Sequence, residues 1–114
     1  MLTKTNRLRK EKDFEGLFKK GKSFKNGFLI LKIVQNNLKE SRFAFIVSQK
    51  VSKKAVLRNK VKRRLRDIVR KNMKEIKKGV DVALITLSGI EKQSFIETKK
   101  TLDDLFKKTG IINK

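Results

Sequence analysis

With 114 residues and 13.3 kDa the chain has the length of one domain, and its 32 Lys and Arg against 11 Asp and Glu give a net charge of +21. Neither His nor Cys occurs, which excludes a thiolate nucleophile, a Ser-His-Asp triad, a Cys/His zinc site and a disulfide frame. Leu, Ile, Val and Phe together number 38, well above the roughly 20% of residues below which a charged chain stays disordered, so a small core is expected under a surface that seeks polyanions.

Residues 1–10 carry no hydrophobic period and are expected to form a basic extended arm. Phe14, Leu17 and Phe18 then fall at i, i+3 and i+4, which predicts a helix over Glu11–Lys20, with Gly21 as its left-handed cap. Phe28 to Val34 and Arg42 to Ser48 are apolar runs separated by Gln35-Asn36-Asn37, and together they predict an antiparallel hairpin. Alternation puts Phe43 and Phe45 on one face of the second strand, either core or exposed. From Ala55 to Lys78, Val61, Leu65, Ile68, Val69, Met73 and Ile76 recur at spacings of three and four, as in one long amphipathic helix ended by Gly79. Val80–Leu87 is a buried-strand candidate interrupted only by Asp81. A last helix is expected from about Lys92 to Lys108, with Ser94 and Glu97 spaced as a capping box and Gly110 as its stop. Residues 111–114 are left as a short tail.

The expected architecture is therefore α+β: a single domain over residues 1–114, three helices around one mostly antiparallel sheet, in the order α-β-β-α-β-α, with room for an extra short strand. The Met1 to Lys10 stretch has no apolar h-region, and no run reaches the ~18 apolar residues of a membrane span. A soluble cytoplasmic protein without membrane contact is expected.

The charge is organised. Lys53 to Lys78 holds 13 basic and two acidic residues, a net +11. At about 100° per residue, Asn59, Arg63, Arg66 and Arg70 fall together opposite the apolar stripe of Val61, Leu65 and Ile68. Five of the eight arginines, Arg58, Arg63, Arg64, Arg66 and Arg70, crowd into one 13-residue window, although Lys outnumbers Arg three to one overall. A guanidinium fork grips two phosphate oxygens where an ammonium offers a point charge, so this clustering favours a shaped phosphate ligand over a merely solvated helix face. Asn59 is the one base-reading amide on the stripe, which suits backbone contact with a folded RNA better than readout of a DNA groove.

The stretch Lys53-Lys54-Ala55-Val56-Leu57-Arg58-Asn59-Lys60-Val61-Lys62-Arg63-Arg64-Leu65-Arg66-Asp67 resembles the arginine/asparagine-rich signature of the bacterial ribonuclease P protein subunit. Asn6-Arg7-Leu8, Asp13-Phe14, Phe18, Gly21, Val47-Ser48 and the closing helix with Leu102, Leu105 and Phe106 extend the likeness over most of the chain. The resemblance implies an α/β sandwich with a left-handed crossover at its long helix. It also implies membership of a ribonucleoprotein endonuclease that removes the 5′ leader of precursor tRNA. Catalysis would belong to the RNA subunit, with magnesium held mainly by RNA; no metal ligands in the protein are identified, and no protein partner is evident. Lys53, Lys54, Arg58, Asn59, Lys60, Lys62, Arg63, Arg66 and Arg70 would bind the catalytic RNA. Phe14, Phe18, Leu31 and Lys50 would line a cleft for the single-stranded leader.

Three residues depart from the pattern: Lys60 stands where the family usually has Arg, Gln49-Lys50 where it often has Lys-Lys, and Leu31 where many members have an aromatic. No protein-borne nuclease site is visible, since the adjacent Asp103 and Asp104 diverge by about 100° on a helix. On composition alone, a ribosomal or nucleoid-associated structural protein is the alternative. A membrane-surface peptide is disfavoured, because the basic helix needs its apolar face for the sheet.

Overall fold

A computed structural model describes residues 6–112. Seven elements follow in order: α1 (Glu11–Lys20), β1 (Lys22–Asn26), β2 (Leu29–Gln35), β3 (Arg42–Ile46), α2 (Ala55–Asn72), β4 (Val80–Thr86) and α3 (Phe95–Thr109), with a short 3-10 turn at Ile90–Lys92 before α3. The strands form one sheet in the order β1-β2-β4-β3, antiparallel except for β3 beside β4. The mixed sheet with three helices matches the expected α+β class, and β1 is the extra short strand.

The predicted hairpin does not form. β2 pairs instead with β1 through the two-residue loop Gly27–Phe28, where Gly27 alone has positive φ, +56°, the pattern of a type II′ turn. β4, buried at every position but Ile85, takes the sheet's interior between β2 and β3, because the most continuously apolar strand gains most from two-sided cover. The β3–α2–β4 segment is thus a parallel crossover.

Alternation assigns the two faces. Leu29, Leu31, Phe43, Val80, Val82 and Leu84 point to one side and pack with Val61, Leu65, Ile68 and Val69 of α2 and Leu102, Leu105 and Phe106 of α3. Phe43 and Phe45 share this side, Phe43 as core and Phe45 half-buried. On the other side α1 sets Leu17 against Ala44 and Ala83.

Several boundaries shift for physical reasons. α2 ends at Asn72 rather than Lys78, because Ile76 leaves the helix to bridge Ile112 and the Lys77 N–H bonds the Ile111 carbonyl at 2.7 Å. Residues 111 and 112 are therefore not a free tail; 113 and 114 lie outside the described residues. The arm is likewise built in from residue 6: Arg7 bridges Phe43 in parallel, Leu8 donates to the Phe43 carbonyl at 2.9 Å, and Asn6 donates to the Ser41 carbonyl at 2.8 Å. Residues 1–5 lie outside the described range. Gly21 is extended at φ −72° rather than left-handed; glycine is needed there because a Cβ would collide with the Leu17 carbonyl. The capping box of α3 forms as expected, with Glu97 N to Ser94 Oγ and Ser94 N to Glu97 Oε1 both at 3.1 Å.

Candidate nucleic-acid interface

α2 buries Val61, Leu65, Ile68 and Val69, and this fixes where its cations go. Asn59, Arg63 and Arg70 are exposed on the outer side, Arg66 is exposed on the flank toward β3, and Lys53, Lys54 and Lys60 are exposed at and before its first turns. Arg58 and Lys62 are half-buried on the flank toward β3. Arg58 is held there by an Nη1 bond to the Ser52 carbonyl at 2.9 Å. Arg64, on the opposite flank, donates to the Gln93 carbonyl at 3.1 Å and so serves packing. The first turn of α2 has no acidic residue and its N-cap, Lys54, makes no side-chain cap bond, so the positive end of the helix dipole adds to the lysines rather than being neutralised. The ion pairs among the described residues join Arg42 to Asp13 and Asp81, and Lys99 to Asp103. They leave the exposed α2 cations without carboxylate partners.

The opposite face of the sheet carries a second surface, arranged in rows by strand register. Lys25, Ile30, Ile85 and Ile46 lie side by side across β1, β2, β4 and β3, and the next row is Ser23, Lys32, Ala83 and Ala44. α1 covers the alanines but leaves the three isoleucines half-exposed. Phe14 and Phe18 stand at its edge with ring centroids 6.5 Å apart and planes 20° from parallel. The Lys32 ammonium sits 5.0 Å from the Phe18 centroid, within cation–π range. The result is a shallow cleft with an apolar floor, aromatic wall and lysine rim, which suits stacked bases and a passing phosphate backbone. Lys50 is exposed in the turn after β3, its carbonyl accepting from Ser88 Oγ at 2.6 Å.

Leu31 must be removed from this cleft. It is fully buried on the face packed by α2 and α3, away from α1. Its neighbours Ile30 and Lys32 face the α1 side instead. The one charged position in Leu29-Ile30-Leu31-Lys32-Ile33 already marks the wetter face at a period of two.

A half-buried clamp holds α1 in place. Arg42 donates from Nε to Asp81 Oδ1 at 2.8 Å, from Nη2 to Asp81 Oδ2 at 2.7 Å and from Nη1 to Asp13 Oδ2 at 2.9 Å, while Asn36 donates to Asp81 Oδ1 at 2.8 Å. The Asp81 bonds, outweighing desolvation, raise the guanidinium pKa above its ordinary value. Asp13 and Phe14 are adjacent, so the clamp orients the aromatic wall.

Between the two surfaces a groove of about 320 Å³ rounds the β3 edge, lined by Arg7, Arg9, Phe14, Phe45, Ile46 and Arg66. Arg66 turns toward β3, its Cζ 5.9 Å from the Phe45 ring centroid. Asp103 is engaged by Lys99 at 2.8 Å and by Asn72 at 3.3 Å, while Asp104 is exposed. Among the described residues no helix is long and apolar enough to cross a membrane.

The family model for ribonuclease P matches residues 2–110. The ribonuclease P protein component of Syntrophomonas wolfei is 39% identical over 111 residues, spanning 97% of this chain and 92% of the relative. That of Clostridium botulinum strain 657 is 36% identical over 111 residues, spanning 96% and 99%. Among solved structures, a Staphylococcus aureus RNase P protein mutant superposes with a TM-score of 0.90 at 26% identity, covering 96% of this chain and 92% of that one. The Thermotoga maritima RNase P protein gives 0.81 at 34% identity, covering 90% and 96%.

Proposed function

The chain belongs to the ribonuclease P protein family, and on that premise we propose that its two basic surfaces serve two RNAs within a tRNA-processing endoribonuclease. The outer side of α2 binds the catalytic RNA through Lys53, Lys54, Arg58, Asn59, Lys60, Lys62, Arg63 and Arg70. The cleft beside α1 takes the single-stranded 5′ leader of precursor tRNA, with Phe14 and Phe18 as stacking wall, Ile30, Ile46 and Ile85 as floor, and Lys25, Lys32 and Lys50 near the phosphates.

The observation that carries this reading is the pair of surfaces on opposite faces of one sheet: a helix whose exposed arginines have no carboxylate partner among the described residues, and a half-exposed isoleucine row beside two stacked phenylalanines. A folded RNA is met through its phosphates, and a splayed single strand through stacking. The family match disfavours a ribosomal or nucleoid-associated role.

Magnesium is the metal the family resemblance implies for the holoenzyme. As that resemblance has it, the ion is held mainly by the RNA, and the protein is assigned no step through it. The chain's own contribution is positioning: its cations lower the phosphate repulsion between catalytic RNA and substrate, and the cleft fixes the leader.

Reconstitution tests this. The protein, its catalytic RNA and a precursor tRNA are mixed at low magnesium, and 5′-leader release is followed. Stimulation over RNA alone is expected; no stimulation across protein concentrations overturns the reading.

A further inference from the structure

Arg66 lies on the α2 flank that faces the sheet edge, and its guanidinium packs over Phe45. Together with Arg9, also exposed, it borders the groove that opens at its other end on Phe14 and Ile46 of the cleft. The groove is about 320 Å³, room for one nucleotide and not for a duplex, and among the described residues no carboxylate lines it.

Its floor is a strand edge. The Phe43 carbonyl points outward to take the Leu8 N–H, and the arm's pairing stops there. Outward-pointing backbone groups recur at every second residue of a strand, so the N–H and C=O of Phe45 face the groove with no backbone partner outside the sheet among the described residues. Arginine forks, an aromatic ring and an outward-facing backbone donor–acceptor pair are the groups that hold a splayed nucleotide.

We propose that this groove is a nucleotide subsite for the leader, in which Arg66 and Arg9 hold a phosphate as the strand leaves the cleft and rounds the β3 edge toward α2. Arg66 then serves the substrate and not the catalytic RNA. The assignment rests on the leader-cleft reading above. The leader is chosen over the catalytic RNA because the groove is continuous with the cleft through Phe14 and Ile46, and because only a single strand fits it.

The test uses the reconstituted holoenzyme and substrate-binding measurements on mature tRNA and on precursors with leaders of increasing length. Arg66→Gln and Arg9→Gln change exposed side chains, so folding is spared. The expected result is a fall of about tenfold in the affinity ratio of leader-bearing to leaderless substrate, the scale of one charge-assisted hydrogen bond. The salt slope for leader-bearing substrate becomes shallower by about 0.7 per arginine. Equal weakening for leaderless tRNA, or weakened assembly with the catalytic RNA as in Arg63→Gln, overturns the proposal while the cleft stands. An unchanged ratio in both variants does the same. No leader preference in the unaltered holoenzyme overturns the cleft reading and the subsite together.

Discussion

The Arg42 guanidinium meets the Asp81 carboxylate side-on, Nε to Oδ1 at 2.8 Å and Nη2 to Oδ2 at 2.7 Å, across the parallel pair β3 and β4. Its remaining nitrogen reaches Asp13 on α1. One side chain thus joins the crossover strands to the helix that carries the aromatic wall.

Breaking that pair from one side leaves a charge in a half-buried site, with Asp81 itself buried. Asp81→Asn and Arg42→Met are each expected to lower unfolding free energy by about 3 kcal/mol, while the double change Arg42→Met/Asp81→Leu costs less than either. Urea denaturation checks the order; a double variant as unstable as the sum of the singles contradicts it.

Phe18 is 43% exposed, so its ring contributes little to the core. Phe18→Ala is expected to leave thermal stability within about 0.5 kcal/mol and to weaken binding of leader-bearing precursor by about 1–3 kcal/mol. Equal losses for mature tRNA would show that the ring serves something other than a leader base.

Arg63→Gln and Arg70→Gln remove exposed cations from the outer side of α2. Each is expected to flatten the salt dependence of catalytic-RNA binding by about 0.7–0.9 log units per decade of salt. Titrations at several potassium concentrations measure the slope, which stays at its original value if these arginines touch no phosphate.

Ser94→Ala removes the oxygen that caps α3 and should cost about 1 kcal/mol in stability. RNA affinity is the internal control, since Ser94 belongs to neither surface, and a loss of affinity larger than the loss of stability argues against that placement.

Self-repulsion at +21 opposes compaction. Sulfate or phosphate, bound by the folded form, is expected to raise Tm in a concentration-dependent way. A Tm flat across added sulfate, with sodium chloride matched for ionic strength, contradicts this.

The helices were legible because their signals are local: apolar residues at three and four, the Ser94–Glu97 box, the arginine window on α2. Strand partnership was not, because it depends on which distant strand reaches the interior. β2 and β3 look like neighbours in sequence, yet β4 lies between them. Two local signals do bear on the sheet. Gly27, at the first position of a two-residue loop, is a type II′ hairpin signal that places β1 beside β2, and Lys32 marks the wetter face, which Ile30 shares and Leu31 does not. Asp81 stood out as the break in an apolar run, but its partners Arg42 and Asp13 come together only in three dimensions. The β3-edge groove was equally out of reach, being built from the arm, α1, β3 and α2.

The interior place of β4 also sets an order of events at the ribosome. β2 and β3 have no common partner until Val80–Thr86 has been made, so the sheet cannot close until more than two-thirds of the chain has emerged. At about 5–20 residues per second, the arginine-rich segment spends seconds outside the exit tunnel before its apolar side has a sheet to cover. The nascent chain therefore presents its strongest polyanion-binding stretch before it has a fold, amid abundant RNA.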